Sequence, residues 1–224
     1  MKKKILFVVT SHGELGDTGK KTGYFLSEVT HPWSVLSPTF EIDVVSPKGG
    51  RPPVDGFNLD DPINRKFWDD PEWQDKMSTT KTPEEIDPSQ YVAIFYAGGH
   101  GAMWDFPDNA KLAEIASKIY ENGGYVSAVC HGPAGLLNIK LTGGDLLVKG
   151  RKLDSFTNAE EELNGTAKIV PFLLQTALEE RGGIFNCGEP WTDHVVTDGR
   201  LITGQNPMSA LSLGKALLST LEKN

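Results

Sequence analysis

Short apolar runs recur along the chain at the spacing of alternating strands and helices. Five of them have strand length and are bounded by Gly, Pro or Asp: Ile5–Val9, Ile42–Val45, Val92–Tyr96, Tyr125–Val129 and Leu201–Thr203. Three segments have the helical spacing of apolar residues: Ala110–Glu121, Pro171–Arg181 and Met208–Leu221. Strands that alternate with helices predict a mainly parallel sheet covered on both faces. We therefore expect a doubly wound α/β/α sandwich.

Length and charge narrow the class of protein further. The 224 residues suffice to bury a core, and no repeat or linker divides them, so we expect one domain over residues 1–224. A net charge of −8 argues against a nucleic-acid surface, which needs clustered Lys and Arg. No stretch approaches the roughly 20 apolar residues of a membrane helix, and none has the pattern of a signal peptide. With two cysteines expected to be reduced, the chain is predicted to be cytoplasmic.

The ends of the predicted strands carry the residues that suit chemistry. In an open parallel sheet, the ligand crevice lies at the carboxyl ends of the strands. Three of these ends are rich in Gly and His: Ser11–Glu14, Ala97–Gly101 and Cys130–Pro133. The long stretch from Gly49 to Pro88 contains several prolines and tryptophans and has weak periodicity. We interpret it as an insertion over the crevice.

Cys130 stands at the most informative of these strand ends. It follows an apolar strand and precedes His131 and a glycine, and Ala134–Leu137 is expected to continue as a helix. This order favours a nucleophile elbow, in which a sharp turn lifts one side chain above the sheet. A helix N-terminus under the sulfur would stabilise the thiolate and lower the pKa of the thiol. We predict that Cys130 is a catalytic nucleophile; the alternative is a buried apolar cysteine. Cys187 has no adjacent base and is expected to be structural.

A glycine-rich loop, Tyr96–Gly101, follows the third strand. Its glycines let backbone N–H groups approach a substrate, so we expect Gly99 and the N–H of His131 to form an oxyanion hole, with His100 beside the substrate. The alternative is an ordinary tight turn. The loop lacks the third glycine of the dinucleotide fingerprint, and Gly13–Thr22 has the wrong spacing for a phosphate loop. No nucleotide cofactor is therefore expected.

Glu28 lies where a helix is predicted to start, in Gly23–Glu28. A desolvated carboxyl group beside a thiol can move protons, although a lone Glu at such a position is more often a solvated surface residue. Glu28 and His31 are three residues apart, and His100 would supply a third ligand, which leaves a metal site as an alternative. Because there is no cluster of His and Cys with firm spacing, we expect no metal.

Four groups of segments carry a resemblance to a known family: Gly23–Glu28 with Thr30–Trp33, Ala97–Gly101 with Asp105–Pro107, Ala128–Pro133, and Asp198–Pro207. Together they resemble the ThiJ/PfpI superfamily of class I glutamine-amidotransferase-like proteins, in its heat-shock chaperone and glutathione-independent glyoxalase III branch. The resemblance implies a flavodoxin-like sandwich, usually a homodimer, with Cys130 as nucleophile, Glu28 hydrogen-bonded to it and His131 beside it. It also implies an acidic residue that orients His131. Glu161 fits this role, but the flanking Glu160 and Glu162 leave the register open.

The same resemblance implies an activity. In glyoxalase members the cysteine attacks the small aldehyde methylglyoxal and lactate is released, with neither glutathione nor another cofactor. For this chain it implies a lyase of the D-lactate dehydratase type. Three alternatives share the fold: a holding chaperone with an exposed apolar patch around Trp68 and Trp73, a cysteine peptidase or amidohydrolase with a groove for an extended chain, and a redox sensor with an oxidisable thiol.

Overall fold

The computed structural model describes residues 2–223. Its strands are β1 Lys4–Val8, β2 Tyr24–Phe25, β3 Glu41–Val45, β4 Val54–Asp55, β5 Tyr91–Tyr96, β6 Tyr125–Val129, β7 Lys152–Leu153, β8 Ile184–Phe185, β9 Val195–Asp198 and β10 Leu201–Gly204. Its α-helices are α1 Leu26–Leu36, α2 Pro62–Trp68, α3 Pro71–Ser78, α4 Ala102–Asp105, α5 Ala110–Glu121, α6 Asn158–Leu163, α7 Leu174–Glu180 and α8 Ala210–Leu221. Among these residues, no helix combines the length and the apolar character that crossing a bilayer requires.

Six strands form the central sheet in the order β3-β1-β5-β6-β10-β9. All neighbours are parallel except β9, which pairs antiparallel with β10 at one edge. Counted without that edge strand, this is the 2-1-3-4-5 order of flavodoxin-like folds. The predicted mainly parallel α/β sandwich is confirmed, and all five predicted strands lie in this sheet. The unpredicted edge strand, β9, is only four residues long. That residues 1–224 form one domain stays a prediction.

Both faces of the sheet are buried because successive side chains of each strand point to opposite sides. Ile5 and Phe7 of β1 belong to one apolar cluster, and Leu6 and Val8 belong to another. Helices α1 and α8 contribute apolar side chains to the first cluster, and α5 contributes apolar side chains to the second. Burial of each such side chain contributes about 1.5–3 kcal/mol. The central strands therefore read as unbroken apolar runs rather than as alternating ones.

Only a small part of the stretch from Gly49 to Pro88 lies at the crevice as predicted: Asp55 lines the cavity at Cys130, and the helical part packs beside the sheet. The stretch forms β4, α2 and α3, and its apolar side chains Phe67, Trp73 and Met77 are buried. The rings of Phe67 and Trp73 contact that of Trp33 on α1, with centroids 5.1 and 5.7 Å away. Because these aromatic residues gain more from burial against α1 than from lying over a polar crevice, the helical part packs beside the sheet.

Helices α1 and α8 approach each other closely at Gly214. A Cβ atom at this position would lie 2.9 Å from the Cα of Pro32, closer than real Cβ contacts come. Gly214 lies inside α8, where glycine is about 1 kcal/mol less favourable than alanine. The glycine is therefore explained by the contact with α1 rather than by helix stability.

We predict that Gly214→Ala destabilises the protein by roughly 1–2 kcal/mol, because overpacking costs about 1–3 kcal/mol and exceeds the gain in helix propensity. Chemical denaturation gives the free energy of unfolding. Gly143→Ala is the matched control, since a Cβ at Gly143 meets no atom within 4 Å. A Gly214→Ala protein at least as stable as the wild type would contradict this account of the helix contact.

Candidate active site

The segments that follow β5 and β6, together with the first turn of α1, meet at the carboxyl end of the sheet. β5 and β6 are adjacent, so Gly98 and Gly99 of one loop lie beside Cys130 of the other. Glu28 enters from α1. These residues are far apart in the sequence, and the parallel sheet brings them together.

Cys130 has a strained backbone. Its φ of +58° lies in the left-handed region, which non-glycine residues seldom adopt and which is common at functional sites. Two hydrogen bonds hold it there: its N–H donates to the carbonyl of Gly204, and its carbonyl accepts from the N–H of Phe156, both at 2.8 Å. The predicted sharp turn is present. The predicted helix after it is instead a short 3₁₀ helix, Gly132–Leu136, so no long helix points its N-terminus at the sulfur.

Gly98 and Gly99 lie where a side chain has no room. A Cβ on Gly98 would lie 2.6 Å from Oε2 of Glu28 and 2.7 Å from the backbone nitrogen of His131. Gly99 has a φ of +101°, and a Cβ there would lie 2.1 Å from the carbonyl of Gly23. The backbone N–H of Gly99 is close enough to the sulfur of Cys130 to lower the pKa of the thiol. That the N–H groups of Gly99 and His131 form an oxyanion hole stays a prediction.

Glu28 is fully buried in the first turn of α1. Its Oε2 accepts a hydrogen bond from the N–H of Gly98 at 2.7 Å, and its carboxyl group interacts with the Cys130 thiol. Burial raises the pKa of Glu28 to about 8, although the contacts with Cys130 and Gly98 oppose the increase. The carboxyl group is therefore protonated near neutral pH and can donate a hydrogen bond to sulfur.

The thiol of Cys130 does not have the lowered pKa that the sequence predicted. Burial raises its pKa well above the ordinary value, and a charged Glu28 adds to the increase, while the N–H of Gly99 lowers it. The long helix predicted after Cys130 is not formed, so no N-terminus of such a helix offsets the effect of burial on the pKa of the thiol. Because Glu28 is uncharged below about pH 8, its charge does not raise the pKa of Cys130 near neutral pH. Near neutral pH both groups therefore keep their protons, and ionisation of either one opposes ionisation of the other.

His131 lies between the thiol and a carboxylate. Its Nδ1 is 3.4 Å from the sulfur of Cys130, and its Nε2 is 2.7 Å from Oε2 of Glu161. Because a carboxylate only accepts, Nε2 carries the ring proton, and Nδ1 presents a lone pair to the thiol. Burial, helped by His100, lowers the pKa of His131 to about 4, so the ring is neutral near pH 7.

Glu161 binds two histidines at once. Its other oxygen, Oε1, lies 2.9 Å from Nε2 of His100 and also accepts from the hydroxyl of Thr166. Burial alone would raise the pKa of this carboxyl, but the hydrogen bonds with His100 and His131 hold it well below its usual range. Glu161 is thus a permanent anion at neutral pH. The involvement of Thr166 was missed from the sequence, where Asn164–Thr166 matches only a glycosylation signal.

The structure distinguishes the three consecutive acidic residues. Thr157 caps α6, and the side chain of Glu160 turns back to accept from the N–H of Thr157 at 2.9 Å. Glu161 points the other way, at His131, and Glu162 is exposed. The remaining oxygen of Glu160 accepts from the N–H of Trp191, at 2.9 Å. Of the three, Glu161 is therefore the partner of His131.

A small cavity of about 190 Å³ opens onto Cys130. Its other lining residues include Gly99, His100 and His131, which the sequence pointed to, and Phe25, Asp55, Phe156, Asn164, Trp191 and Pro207. No lysine or arginine is among them. Trp191, whose ring lies 5.4 Å from that of Phe156, has a φ of +62°. Larger cavities of about 610 and 510 Å³ lie elsewhere, away from the thiol.

The metal site considered from the sequence is not formed. His31 pairs with Asp61 at 2.8 Å, whereas Glu28 is turned toward Gly98 and His100 toward Glu161. A different set, His100, His131 and Glu161, has ligand atoms within 4.8 Å of one another. These three residues already satisfy each other by hydrogen bonding. As arranged, the set forms a histidine–carboxylate network.

Cys187 lies outside this constellation and is exposed. The expectation that it is structural is wrong, because an exposed thiol contributes nothing to the packing of a core. Cys130 is the buried cysteine of the two.

Residues 21–220 match the DJ-1/PfpI family. The chain is 33% identical to a protein named Glyoxalase 3 of Candida albicans over 234 residues, which covers 99% of each chain. It is also 33% identical to the glutathione-independent glyoxalase HSP31 of Saccharomyces cerevisiae, with 98% of each chain covered. The crystal structure of glyoxalase III from Candida albicans superposes with a TM-score of 0.91 at 33% identity, covering 99% of this chain and 98% of the other.

The raised pKa of Glu28 predicts a pH-dependent stability. An unfolded glutamate ionises near a pH of roughly 4.3, whereas the folded protein keeps this proton up to about pH 8. Between these values the unfolded state binds fewer protons, so stability falls as pH rises, by up to about 1.4 kcal/mol per pH unit. In a Cys130→Ala background, Glu28→Gln removes this loss of stability. We expect the free energy of unfolding of the double variant, relative to that of Cys130→Ala, to increase by roughly 3 kcal/mol between pH 5 and pH 8.

The measurement is denaturant unfolding at several pH values, with Glu162→Gln as control because that side chain is exposed. Parallel stability curves for Glu28→Gln and its parent would show that Glu28 is not a buried acid of raised pKa.

Proposed function

The chain belongs to the DJ-1/PfpI family, and we propose that it acts as a glutathione-independent glyoxalase that converts methylglyoxal to lactate with Cys130 as nucleophile. One observation carries the proposal. The sulfur of Cys130 lies 3.4 Å from Nδ1 of a neutral His131 whose other nitrogen is held by Glu161, beside a cavity of small-molecule size. Relatives that align over nearly the whole chain are named as glyoxalases.

The first step is addition of the thiol to the aldehyde. Nδ1 of His131 takes the proton of Cys130 as sulfur bonds to the aldehyde carbon, which gives a hemithioacetal. The carbonyl oxygen becomes an alkoxide, and the backbone N–H groups of Gly99 and His131 stabilise it until the protonated carboxyl group of Glu28 gives it a proton. Glu161 holds the ring of His131 in the correct tautomer and compensates its positive charge.

The second step moves hydrogen between neighbouring carbons. Because it has given its proton to the alkoxide, Glu28 is now a carboxylate and acts as a base. Glu28 removes the proton from the former aldehyde carbon while protonated His131 gives its proton to the neighbouring carbonyl oxygen, which yields an enediol. Glu28 then returns the proton to the adjacent carbon as His131 takes the hydroxyl proton of the carbon bonded to sulfur, which leaves a thioester of lactate. Water then hydrolyses the thioester, releasing lactate and the thiol. The sulfur of Cys130 does the work that glutathione would do, so the reaction needs no cofactor.

The competing functions are less well supported. The chaperone hypothesis expected an exposed apolar patch around Trp68 and Trp73, but Trp73 is buried against α1. A peptidase needs a groove for an extended chain, and the cavity of about 190 Å³ is too small for one. A redox sensor is expected to have a thiol of low pKa, whereas burial raises that of Cys130. Homodimerisation and a cytoplasmic location remain part of this proposal, on the resemblance and on the two free cysteines.

We predict that Cys130→Ala lowers lactate formation from methylglyoxal, without glutathione, by at least about 10³-fold, as loss of a covalent nucleophile does. Glu161→Gln lowers it by roughly 100-fold, because the amide has no charge to hold the His131 proton. Glu162→Gln, its exposed neighbour, keeps the wild-type rate. Glu28→Gln turns over poorly, yet its Cys130 still reacts with iodoacetamide, which separates proton transfer from loss of the thiol. A Cys130→Ala protein that keeps a tenth of the wild-type rate would rule out this mechanism.

Asp55 gives the cavity a preference for uncharged substrates. It is the acidic residue among those that line the cavity, and no lysine or arginine lines it to balance the charge. Its carboxylate is fixed by hydrogen bonds from the hydroxyl of Thr22 at 3.0 Å and the N–H of Gly56 at 2.7 Å. Methylglyoxal is neutral and enters without a charge penalty, whereas lactate is an anion, so the same field favours release of the product.

The effect of the Asp55 charge at the sulfur of Cys130 can be measured with two alkylating reagents of nearly equal size, neutral iodoacetamide and anionic iodoacetate. We predict that Asp55→Asn raises the rate at which iodoacetate alkylates Cys130, relative to iodoacetamide, by about tenfold, since one charge a few ångströms away is worth on the order of 1–3 kcal/mol. The ratio cancels any change in thiol reactivity. Asp60→Asn removes an exposed charge of the same loop and is the control. Mass spectrometry separates Cys130 from the exposed Cys187; an unchanged ratio would exclude the charge filter.

A further inference from the structure

A second cavity lies on the other side of a two-stranded ribbon. The ribbon is formed by β2 and β4, which pair in parallel, and successive side chains of a strand point to opposite faces. Phe25 and Asp55 line the cavity that opens onto Cys130, whereas Tyr24 and Val54 line a cavity of about 510 Å³. The two cavities share no lining residue. The second is therefore a separate space with the ribbon as its wall.

Within residues 2–223, three side chains that line the second cavity carry hydrogen-bond donors without a protein acceptor. Nε2 of Gln74 is buried and has no hydrogen-bond partner. Arg51 is exposed and its guanidinium group makes no ion pair with these residues, and the hydroxyl of Tyr24 makes no hydrogen bond to them. Arg51 is close enough to Tyr24 to lower its pKa, but burial has the larger effect and raises that pKa, so the hydroxyl keeps its proton. The buried, unsatisfied amide of Gln74 marks a position for a missing acceptor, and Arg51 and Tyr24 line the same cavity.

The rest of the lining determines what kind of acceptor fits. No aspartate or glutamate lines the second cavity, so Arg51 gives it a positive charge. Trp68, Met77 and Val54 add an apolar wall. The cavity at Cys130 has the opposite charge, because Asp55 lines it and no lysine or arginine does. A few directional polar groups in a mostly apolar cavity are typical of sites for small organic molecules.

We propose that this second cavity binds an organic carboxylate with an apolar body about the size of an aromatic ring. The carboxylate pairs with the planar guanidinium group of Arg51, which suits two parallel N–H···O bonds, and accepts further hydrogen bonds from Tyr24 and Gln74. The body lies against Trp68 and Met77. A single arginine matches one negative charge, which favours a carboxylate over a doubly charged phosphate. The site makes no use of Cys130 and so does not depend on the proposed glyoxalase activity.

Benzoate is the probe, with benzamide as its uncharged counterpart and acetate as the carboxylate without a body. Isothermal titration calorimetry on the full-length protein measures the affinity of each. We expect benzoate to bind at one site and to bind at least about tenfold more tightly than benzamide, because hydrogen bonds to charged groups are the stronger ones. Acetate binds more weakly than benzoate, since it cannot contact the apolar wall.

Variants locate the site. Arg51→Gln loses the preference for benzoate over benzamide while keeping wild-type turnover of methylglyoxal, and Gln74→Glu weakens benzoate binding by repulsion. Lys20→Gln, which removes an exposed positive charge elsewhere, changes neither affinity. Cys130→Ala binds benzoate as the wild type does, whatever the fate of the catalytic proposal. The proposal is overturned if no saturable binding occurs up to about 10 mM benzoate, if Arg51→Gln binds benzoate unchanged, or if Cys130→Ala abolishes binding.

Discussion

The candidate site depends on how closely the backbone of Gly98 and Gly99 approaches the segments around it. No other residue fits, because a Cβ on either glycine would overlap Glu28, His131 or the carbonyl of Gly23. The close approach brings the N–H of Gly98 to the buried carboxyl of Glu28 and the N–H of Gly99 to the sulfur of Cys130. These two donors stabilise the negative charge that appears when either the carboxyl group or the thiol ionises in this buried space.

Patterns that are local in the chain were readable from the sequence. The strands are apolar throughout because both faces of the sheet are covered, and the nucleophile turn has a distinctive order of strand, cysteine, histidine and glycine. The choice among the three acidic residues also has a local signal, because Thr157 followed three residues later by Glu160 is the pattern of a capping box. This pattern assigns Glu160 to the helix cap and leaves Glu161 free to face His131.

Features that arise from distant parts of the chain could not be read in this way. Asp55 joins the cavity only because β4 pairs with β2, and two-residue strands leave no periodic signal. The pKa of Cys130 was predicted in the wrong direction because burial and the length of the following helix are properties of the folded molecule. The helical part of the Gly49–Pro88 segment lies elsewhere than predicted for the same reason: its aromatic residues pack against Trp33 of α1, a partner that the sequence of the segment does not reveal.

The hydrogen bond from Cys130 to Gly204 has a consequence for the biosynthesis of the protein. Gly204 ends β10, which pairs with β6 although the two strands are far apart in the sequence. A nascent chain that has left the ribosome only as far as His131 contains the cysteine but lacks Phe156 and Gly204, the hydrogen-bond partners of its backbone. The thiol acquires its surroundings only after β10 has been synthesised and has paired with β6. Fragments that end before Gly204 therefore contain the cysteine without the complete site.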